Sequence, residues 1–246
     1  MSSWQQRPPA VLYKYIRPER LDVLRDCRIC FSHRSAFDDD HELMPDYAIF
    51  GTEDEIRTFL QSSGKYSPDE IPPDDVVLNI ATNPYYQERA LAAAKQSMRS
   101  PNEFGVLCLT ESPDCEQMWR EYADNGHGFA VGFDTRHAGF NVLTEPGHIG
   151  RVCYSDEPFG SFLGTFSDVA ATFFRKRMKY GFEREWRSIR ALHHLEQRSA
   201  TVFLSPFDPA SVREVIMQST CIVERQLVDI LRSDTRYSHV VLIKKD

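Results

Sequence analysis

The sequence predicts an α+β fold with mixed, mainly antiparallel sheets and flanking helices. Short apolar or alternating runs that are typical of strands recur along the whole chain, and helical patterns separate them without a regular βαβ rhythm. The 246 residues are 41% hydrophobic and 26% charged, which are ordinary values for a globular protein. We therefore expect a single globular domain over residues 1–246.

The start of the chain predicts a strand, a helix and a second strand. Strands are expected at 11–15 and 28–32, because both runs are rich in β-forming residues. A helix is expected between them at 19–25, after Pro18, since proline suits the first turn of a helix. Residues 1–10 precede these elements as a loose N-terminal arm.

Residues 43–100 are predicted to be a helical insertion between strands. Thr52 and Glu55 have the spacing of a capping box in front of one helix. Asn83 and Pro84 are typical of the first positions of another helix.

The rest of the chain predicts a further series of strands and helices. Residues 104–110 are apolar nearly throughout, which indicates a central strand. The other strands are predicted at 128–134, 149–154, 185–192, 212–217 and 239–243. The helices are predicted after a Ser112 cap that is followed by Pro113, at 162–180 and at 223–231.

Composition and motifs exclude several classes of protein. The net charge of −7 and the lack of a Lys/Arg-rich block argue against broad, charge-driven nucleic-acid binding. No apolar run approaches the roughly 20 residues of a membrane span, and the N-terminus lacks a signal-peptide core. We therefore expect a cytoplasmic protein without membrane contact. The phosphate-loop, dinucleotide, serine-hydrolase and zinc-protease signatures do not occur.

The stretch at 180–187 contains the most suggestive pair of side chains. Glu183 and Glu185 are two residues apart, after a glycine and at the start of an alternating run. In an extended segment such side chains point the same way, so both could face one cleft while Arg184 and Trp186 face the other side. The alternative is an ordinary surface strand whose charges are solvated cross-strand partners.

Two neighbouring features also have two interpretations. The basic run at 175–179 either complements the dipole of a helix C-terminus or forms a small anion-attracting patch beside the carboxylates. Trp119 and Tyr122 have helical spacing, so they belong either to the core or to a pocket for a planar ligand.

Metal binding is the weaker interpretation of two other features. The loop with Asp38, Asp39, Asp40 and His41 could bind a hard cation, but it lacks the glycine of a calcium loop and is more typical of a solvated acidic loop. The Cys-x-x-Cys pair at 27–30 lacks the second half of a zinc site.

An ordered series of short blocks resembles the bacterial family catalogued as domain of unknown function 2971. The blocks include Leu-Tyr-Lys-Tyr at 12–15 and Tyr-x-x-Glu-x-Glu-Trp-Arg at 180–187. The others lie at 31–32, 37–39, 106–111, 119–124, 128–129 and 132–134. The chain departs from the family's Phe-Asn-Asp-Pro block, since Asp38 replaces asparagine and Asp40 replaces proline.

The layout of that family is similar to ADP-ribosyltransferases, which implies a split β-sandwich and NAD as substrate, with no metal. By this resemblance Glu185 is the catalytic glutamate and Glu183 is the upstream acidic residue. The implied cofactor-binding residues are Tyr13, Lys14, Tyr15, Ser32, Phe37, Trp119, Tyr122 and Arg187. Among these, Ser32 and the helical aromatics would line the nicotinamide pocket, and Lys14 or Arg187 would meet the pyrophosphate.

Three functions remain open from the sequence. The first is an NAD-dependent ADP-ribosyltransferase, of a toxin or phage-defence kind, that modifies a protein or nucleic-acid acceptor. The second is a non-catalytic binding module on the same fold, which the lack of a clear His or Arg on the first strand favours. The third is a metal-dependent hydrolase or nuclease that uses the 38–41 loop.

Overall fold

The computed structural model describes residues 6–37, 43, 46–67, 69–97, 103–140, 148–165 and 172–246. Its strands are β1 Val11–Ile16, β2 Arg28–His33, β3 Tyr47–Ile49, β4 Phe104–Thr110, β5 Phe129–Asp134, β6 His148–Arg151, β7 Cys153–Tyr154, β8 Phe159–Ser161, β9 Arg175–Lys176, β10 Glu185–Ala191, β11 Glu196–Gln197, β12 Val202–Pro206, β13 Val212–Gln218 and β14 Val241–Lys245. Its α-helices are α1 Asp22–Asp26, α2 Glu53–Ser62, α3 Asp74–Thr82, α4 Pro84–Ser97, α5 Glu116–Tyr122, α6 Phe162–Thr165 and α7 Glu224–Ser233.

Ten of the strands in the described residues form one sheet around β4. Its main path runs β11-β12-β2-β4-β1-β5-β13-β14, with β10 paired to β4 and β6 paired to β10. The ladders of this sheet are antiparallel except for the parallel pair β13–β14. The expected α+β fold with a mainly antiparallel sheet is therefore confirmed, and so is the central position of β4.

Strand β4 divides one of its edges between two partners. Its other edge pairs with β10 along the full length of both strands. On the divided edge β2 pairs at Gly105 and Val106, whereas β1 pairs at Thr110. Strands β1 and β2 therefore separate over the middle of β4, and this fork opens a space beside the sheet.

The helical region, which we define as residues 46–97, has a core of its own. Helices α2, α3 and α4 pack on one another around Ile56 and Val77, both fully buried. The capping box of Thr52 and Glu55 is present. The region also contains a strand that the sequence did not predict, since β3 pairs in parallel with β8 at Tyr47 and Phe159.

The helix predicted at 162–180 is wrong over residues 175–180. Helical residues are described at Phe162–Thr165 (α6) and again at 172–173, while residues 166–171 between them lie outside the described part. The chain then forms β9 and a 3₁₀ segment, Met178–Glu183. Phe173 and Phe174 are buried in a cluster with Val106 and Ile189 of the main sheet. Because β9 also pairs with β7, tertiary packing overrides the helical periodicity.

Other predictions need smaller corrections. Helix α5 begins at Glu116 with Cys115 as its N-cap residue, while the Ser112 hydroxyl accepts from the backbone N–H of Asp114 in a preceding turn (3.2 Å). The strand predicted at 149–154 is two strands, broken at Val152. Strands β8, β11 and β12 lie in segments for which no strand was predicted.

The described part of the N-terminal arm, residues 6–10, contains no helix or strand up to β1. It is nevertheless attached to the body, because the backbone N–H of Thr135 donates to the carbonyl of Ala10 (3.1 Å). The hydroxyl of Thr135 also donates to the carbonyl of Pro9 (2.5 Å). No helix in the described ranges is long and apolar enough to cross a membrane.

Candidate functional site

A cavity of about 540 Å³ lies at the fork between β1 and β2. Such a volume falls within the roughly 300–1,000 Å³ of small-molecule sites. Eight of the ten predicted site residues line it, namely Tyr13, Lys14, Tyr15, Ser32, Phe37, Tyr122, Glu183 and Glu185. The cavity is also lined by residues that were not predicted as site residues, among them Arg17, Cys108, Lys176 and Tyr180.

The remaining two predicted site residues lie behind the cavity wall. Trp119 is 3% exposed, its indole N–H donates to the carbonyl of Pro113 (2.9 Å), and its ring meets the ring of Tyr15 edge-on. Arg187 is fully buried. Trp119 is thus a core residue that supports the wall, which was one of its two interpretations, and neither side chain meets a ligand in the cavity directly.

Glu183 and Glu185 lie side by side, but for a different reason from the one predicted. Glu183 ends the 3₁₀ segment, Glu185 begins β10, and Arg184 between them has a left-handed backbone (φ 43°). The strand alternation expected for this stretch therefore starts only at Glu185. The backbone carbonyl of Glu183 is held by the hydroxyl of Thr110 (2.6 Å), so a tight turn fixed to β4 brings the two carboxylates together.

Five side chains form what we call the carboxylate site: Tyr122, Lys176, Glu183, Glu185 and Arg187. The ammonium of Lys176 lies 2.7 Å from Glu183 Oε2 and 3.4 Å from Glu185 Oε2. The guanidinium of Arg187 donates to both oxygens of Glu185, at 2.9 and 3.0 Å. The hydroxyl of Tyr122 donates to Glu183 Oε1 (2.7 Å).

Each partner is delivered by a different element of the fold. Tyr122 ends α5, Lys176 ends β9, and Arg187 follows Glu185 by two residues on the same face of β10. Arg187 is fixed further by donating to the carbonyl of Phe173 (2.6 Å). The backbone N–H of Glu185 donates to the hydroxyl of Tyr154 (2.8 Å).

The two carboxylates have opposite protonation behaviour. Burial, together with the negative charge of Glu185, raises the pKa of Glu183 to about 7. Burial also acts to raise the pKa of Glu185, but the cations of Arg187 and Lys176 outweigh it and hold that pKa well below its usual range. Glu185 is therefore a permanent anion, and Glu183 exchanges its proton near neutral pH. Paired carboxyl groups with separated pKa values are typical of acid–base sites.

The neighbouring titratable groups stay protonated. Burial and the charge of Glu183 raise the pKa of Tyr122, so its hydroxyl remains a donor. Burial and the charge of Glu185 raise the pKa of Cys108, which keeps this residue a thiol. Cys108 is therefore not an activated nucleophile, because nucleophilic cysteines need a lowered pKa.

Lys14 lies in the fork itself. Its ammonium donates to the backbone carbonyl of Cys108 in β4 (3.0 Å), in the stretch between the pairings of β4 with β1 and with β2. A lysine thus bonds a main-chain acceptor where the sheet is split. The ring of Tyr13 lines the same wall, and its hydroxyl donates to Glu214 Oε1 (2.7 Å).

Lys176 is the main site residue that sequence reasoning missed. The basic run at 175–179 was noted and carried two interpretations, but it was placed within a helix, whereas Arg175 and Lys176 form the strand β9. The loop at 38–41, for which metal binding was the weaker interpretation, lies outside the described residues. Among the described residues no group of three or more His, Cys, Asp and Glu side chains could hold a metal ion.

The fold and site define an α+β protein with a buried, charge-paired carboxylate cluster that opens into a cavity. In comparisons with known proteins, residues 118–188 match a family described as "Protein of unknown function (DUF2971)". This stretch is less than a third of the chain, and it contains all five members of the carboxylate site. No curated protein and no solved structure matches the chain.

Proposed function

We propose that this protein is an NAD-dependent ADP-ribosyltransferase that transfers ADP-ribose to a macromolecular acceptor, a protein or a nucleic acid. The observation that carries the proposal is Glu185, a carboxylate kept ionised by Arg187 and Lys176 at the wall of a cavity. A fixed anion of this kind favours a reaction in which positive charge develops on the substrate.

The reaction breaks the bond between nicotinamide and ribose. Nicotinamide leaves with the bonding electron pair, and the ribose becomes an oxocarbenium-like cation in the transition state. Glu185 accepts a hydrogen bond from the ribose 2′-hydroxyl and stabilises this charge. Glu183 takes the proton of the attacking acceptor group, a role that suits a carboxyl group with a pKa of about 7.

The cavity wall offers contacts for the rest of NAD. The rings of Tyr13, Phe37 and Tyr122 line it and supply surfaces on which nicotinamide or adenine can stack. Lys14 and Arg17 also line it and supply cations for the pyrophosphate. Arg187 takes no part in this contact, because it is buried and bound to Glu185.

A binding module without catalysis is the second candidate. It is favoured by the occupation of Glu185, both of whose oxygens already accept hydrogen bonds from Arg187, while Lys176 lies beside one of them. A carboxylate neutralised to this extent stabilises a cation less than a free one does. This candidate predicts NAD binding without NAD consumption.

The test measures free nicotinamide released from NAD in the presence of a cell lysate. We expect release by the wild type and a loss of about 100-fold or more in Glu185→Gln, the usual scale for removing an electrostatic stabiliser. The matched control is Glu111→Gln, since Glu111 accepts from the indole N–H of Trp186 (2.8 Å) and does not line the cavity.

The Glu185→Gln variant also leaves Arg187 buried without a full counter-charge, so its folding must be compared with the wild type by circular dichroism and thermal melting. Equal nicotinamide release by folded Glu185→Gln would contradict the proposal. Saturable NAD binding with no release by the wild type would establish the binding module instead.

A further inference from the structure

The Lys176 side chain touches both carboxylates of the pair. Its ammonium is 2.7 Å from Glu183 Oε2 and 3.4 Å from Glu185 Oε2, and the lysine side chain is only 8% exposed. It also lies 4.5 Å from the centre of the Tyr180 ring, a cation–π distance. The lysine is therefore enclosed by the two acids and an aromatic face.

A small separate ladder holds Lys176 in this place. Strand β9 pairs in parallel with β7, with Lys176 opposite Tyr154. The backbone N–H of Ser155 donates to the carbonyl of Lys176 (2.9 Å), and that of Cys153 donates to the carbonyl of Phe174 (2.7 Å). The main chain on either side of the lysine is thus fixed independently of its charge contacts.

Arg187 and Tyr122, unlike Lys176, each contact one of the two carboxylates. Arg187 binds both oxygens of Glu185, and Tyr122 donates to Glu183. The groups that face the pair from the packed elements are Tyr122 of α5, Arg187 of β10, Tyr154 of β7, Cys108 of β4 and Lys176 of β9.

We propose that Lys176 is a positioning residue that gives the two carboxylates different roles. Its charge keeps Glu183 available as a proton acceptor at neutral pH, while Glu185 remains the anion. The catalytic consequence rests on the proposed function, but the effect on Glu183 does not. An opposite charge within about 4–6 Å favours the ionised form of a carboxyl group, and Lys176 meets this condition for Glu183.

Removal of the lysine charge would change the state of Glu183 first. Glu183 would be left with the Tyr122 hydroxyl as a donor and with the charge of Glu185 beside it in a buried setting. The lysine acts to lower the pKa of Glu183 against burial and that charge. Without it Glu183 keeps its proton to higher pH and cannot accept another at pH 7, whereas Glu185 still has Arg187.

The experiment follows the carboxyl carbon of Glu183 by NMR during a pH titration, in protein labelled at the glutamate carboxyl groups. Glu183→Gln assigns the signal. We expect Lys176→Met to move the Glu183 titration upward by about 1–3 pH units, the range for one nearby charge. Lys176→Arg should restore most of the wild-type midpoint. Lys176→Gln, also neutral but still polar, carries the same expectation as Lys176→Met if the apolar variant does not fold.

Lys179→Met is the matched control, because Lys179 also lies over the Tyr180 ring, at 4.7 Å, and should leave the midpoint in place. An unchanged Glu183 midpoint in both neutral Lys176 variants would overturn the proposal, as would failure of the arginine variant to restore it.

These outcomes are separate from NAD chemistry. A shifted midpoint in a protein that releases no nicotinamide leaves the role of Lys176 standing and removes the proposed function. If nicotinamide release depends on pH, the low-pH side of its rate–pH profile should shift to higher pH in the neutral Lys176 variants, together with the NMR midpoint of Glu183. A profile that stays in place would refute a role of Lys176 in catalysis.

Discussion

The carboxylate site and the helical region differ in where they place charged and apolar side chains: the first buries charged groups, and the second exposes large apolar ones. By whole-residue exposure, the buried charged residues among those described are Glu183, Glu185, Arg187 and Arg190, and the side chain of Lys176 beside the first three is only 8% exposed. The helical region instead leaves large apolar side chains exposed: Phe59, Ile71, Leu78, Tyr85 and Tyr86. Buried charges are costly unless they are paired, so the charged groups of the carboxylate site must compensate one another, whereas the core of the helical region is mainly apolar.

Replacement of Arg187 by methionine should produce the largest loss of stability. The variant removes the hydrogen bonds from the guanidinium to Glu185 and to the carbonyl of Phe173, and among the described residues it leaves the buried carboxylate with Lys176 as the cation beside it. We expect the free energy of unfolding, measured by urea denaturation at pH 7, to fall by about 3–5 kcal/mol.

A double variant separates charge from packing at this position. Arg187→Met combined with Glu185→Gln removes the unpaired charge and should recover a large part of the loss, because isolated charges cost more than missing pairs. A loss below about 1 kcal/mol in the single variant, the range of exposed ion pairs, would erase the contrast between the two regions.

A smaller loss is expected from Gln87→Leu in the helical region. The buried Gln87 amide accepts from the backbone N–H of Phe50 (2.5 Å) and donates to the carbonyls of Ile80 (2.8 Å) and Ala81 (3.1 Å). Leucine leaves these main-chain groups unpaired, which costs about 1–3 kcal/mol.

Hydrogen exchange followed by mass spectrometry should show this loss in peptides from residues 46–97. The neighbouring Glu88→Leu, at an exposed position, is the control and should leave the exchange rates as they are. Equal protection in Gln87→Leu and the wild type would mean that the amide contributes nothing to this core.

The smallest effect is expected at the surface of the same region. Leu78 is 49% exposed, whereas Val77 beside it is fully buried. Leu78→Ser should change the free energy of unfolding by no more than about 0.5 kcal/mol, while Val77→Ser should cost several times as much through lost burial. A large loss in Leu78→Ser would show that this apolar surface is part of a packed interface.

Sequence reasoning found the elements whose pattern is local. Strand β4 is a continuous apolar run, and the capping box of α2 is a four-residue signature. The two-residue spacing of Glu183 and Glu185 can be read directly from the sequence. It missed β9, because a two-residue strand exists only through its pairing with β7. It missed the ion pair between Lys176 and Glu183 for the same reason, because a lysine in the predicted helix would point its side chain differently from a lysine in β9.

The burial of Arg187 was also beyond sequence reasoning. An alternation of Glu and Arg resembles a solvated edge, yet β10 lies between β4 and β6 and its first six residues are all buried. Only the three-dimensional pairing reveals that the charges compensate one another. The fold class was therefore predictable from periodicity, whereas the electrostatics of the cavity depended on contacts between distant elements.

The left-handed backbone of Arg184 limits which amino acids can occupy position 184 without disturbing the site. Glycine, asparagine and aspartate adopt such a conformation easily, whereas valine, isoleucine and threonine resist it. A change at this position could separate the two acids without altering either of them. Position 184 thus restricts which substitutions the chain can accept. A search of sequences for this arrangement should look for two glutamates on either side of a residue that tolerates positive φ.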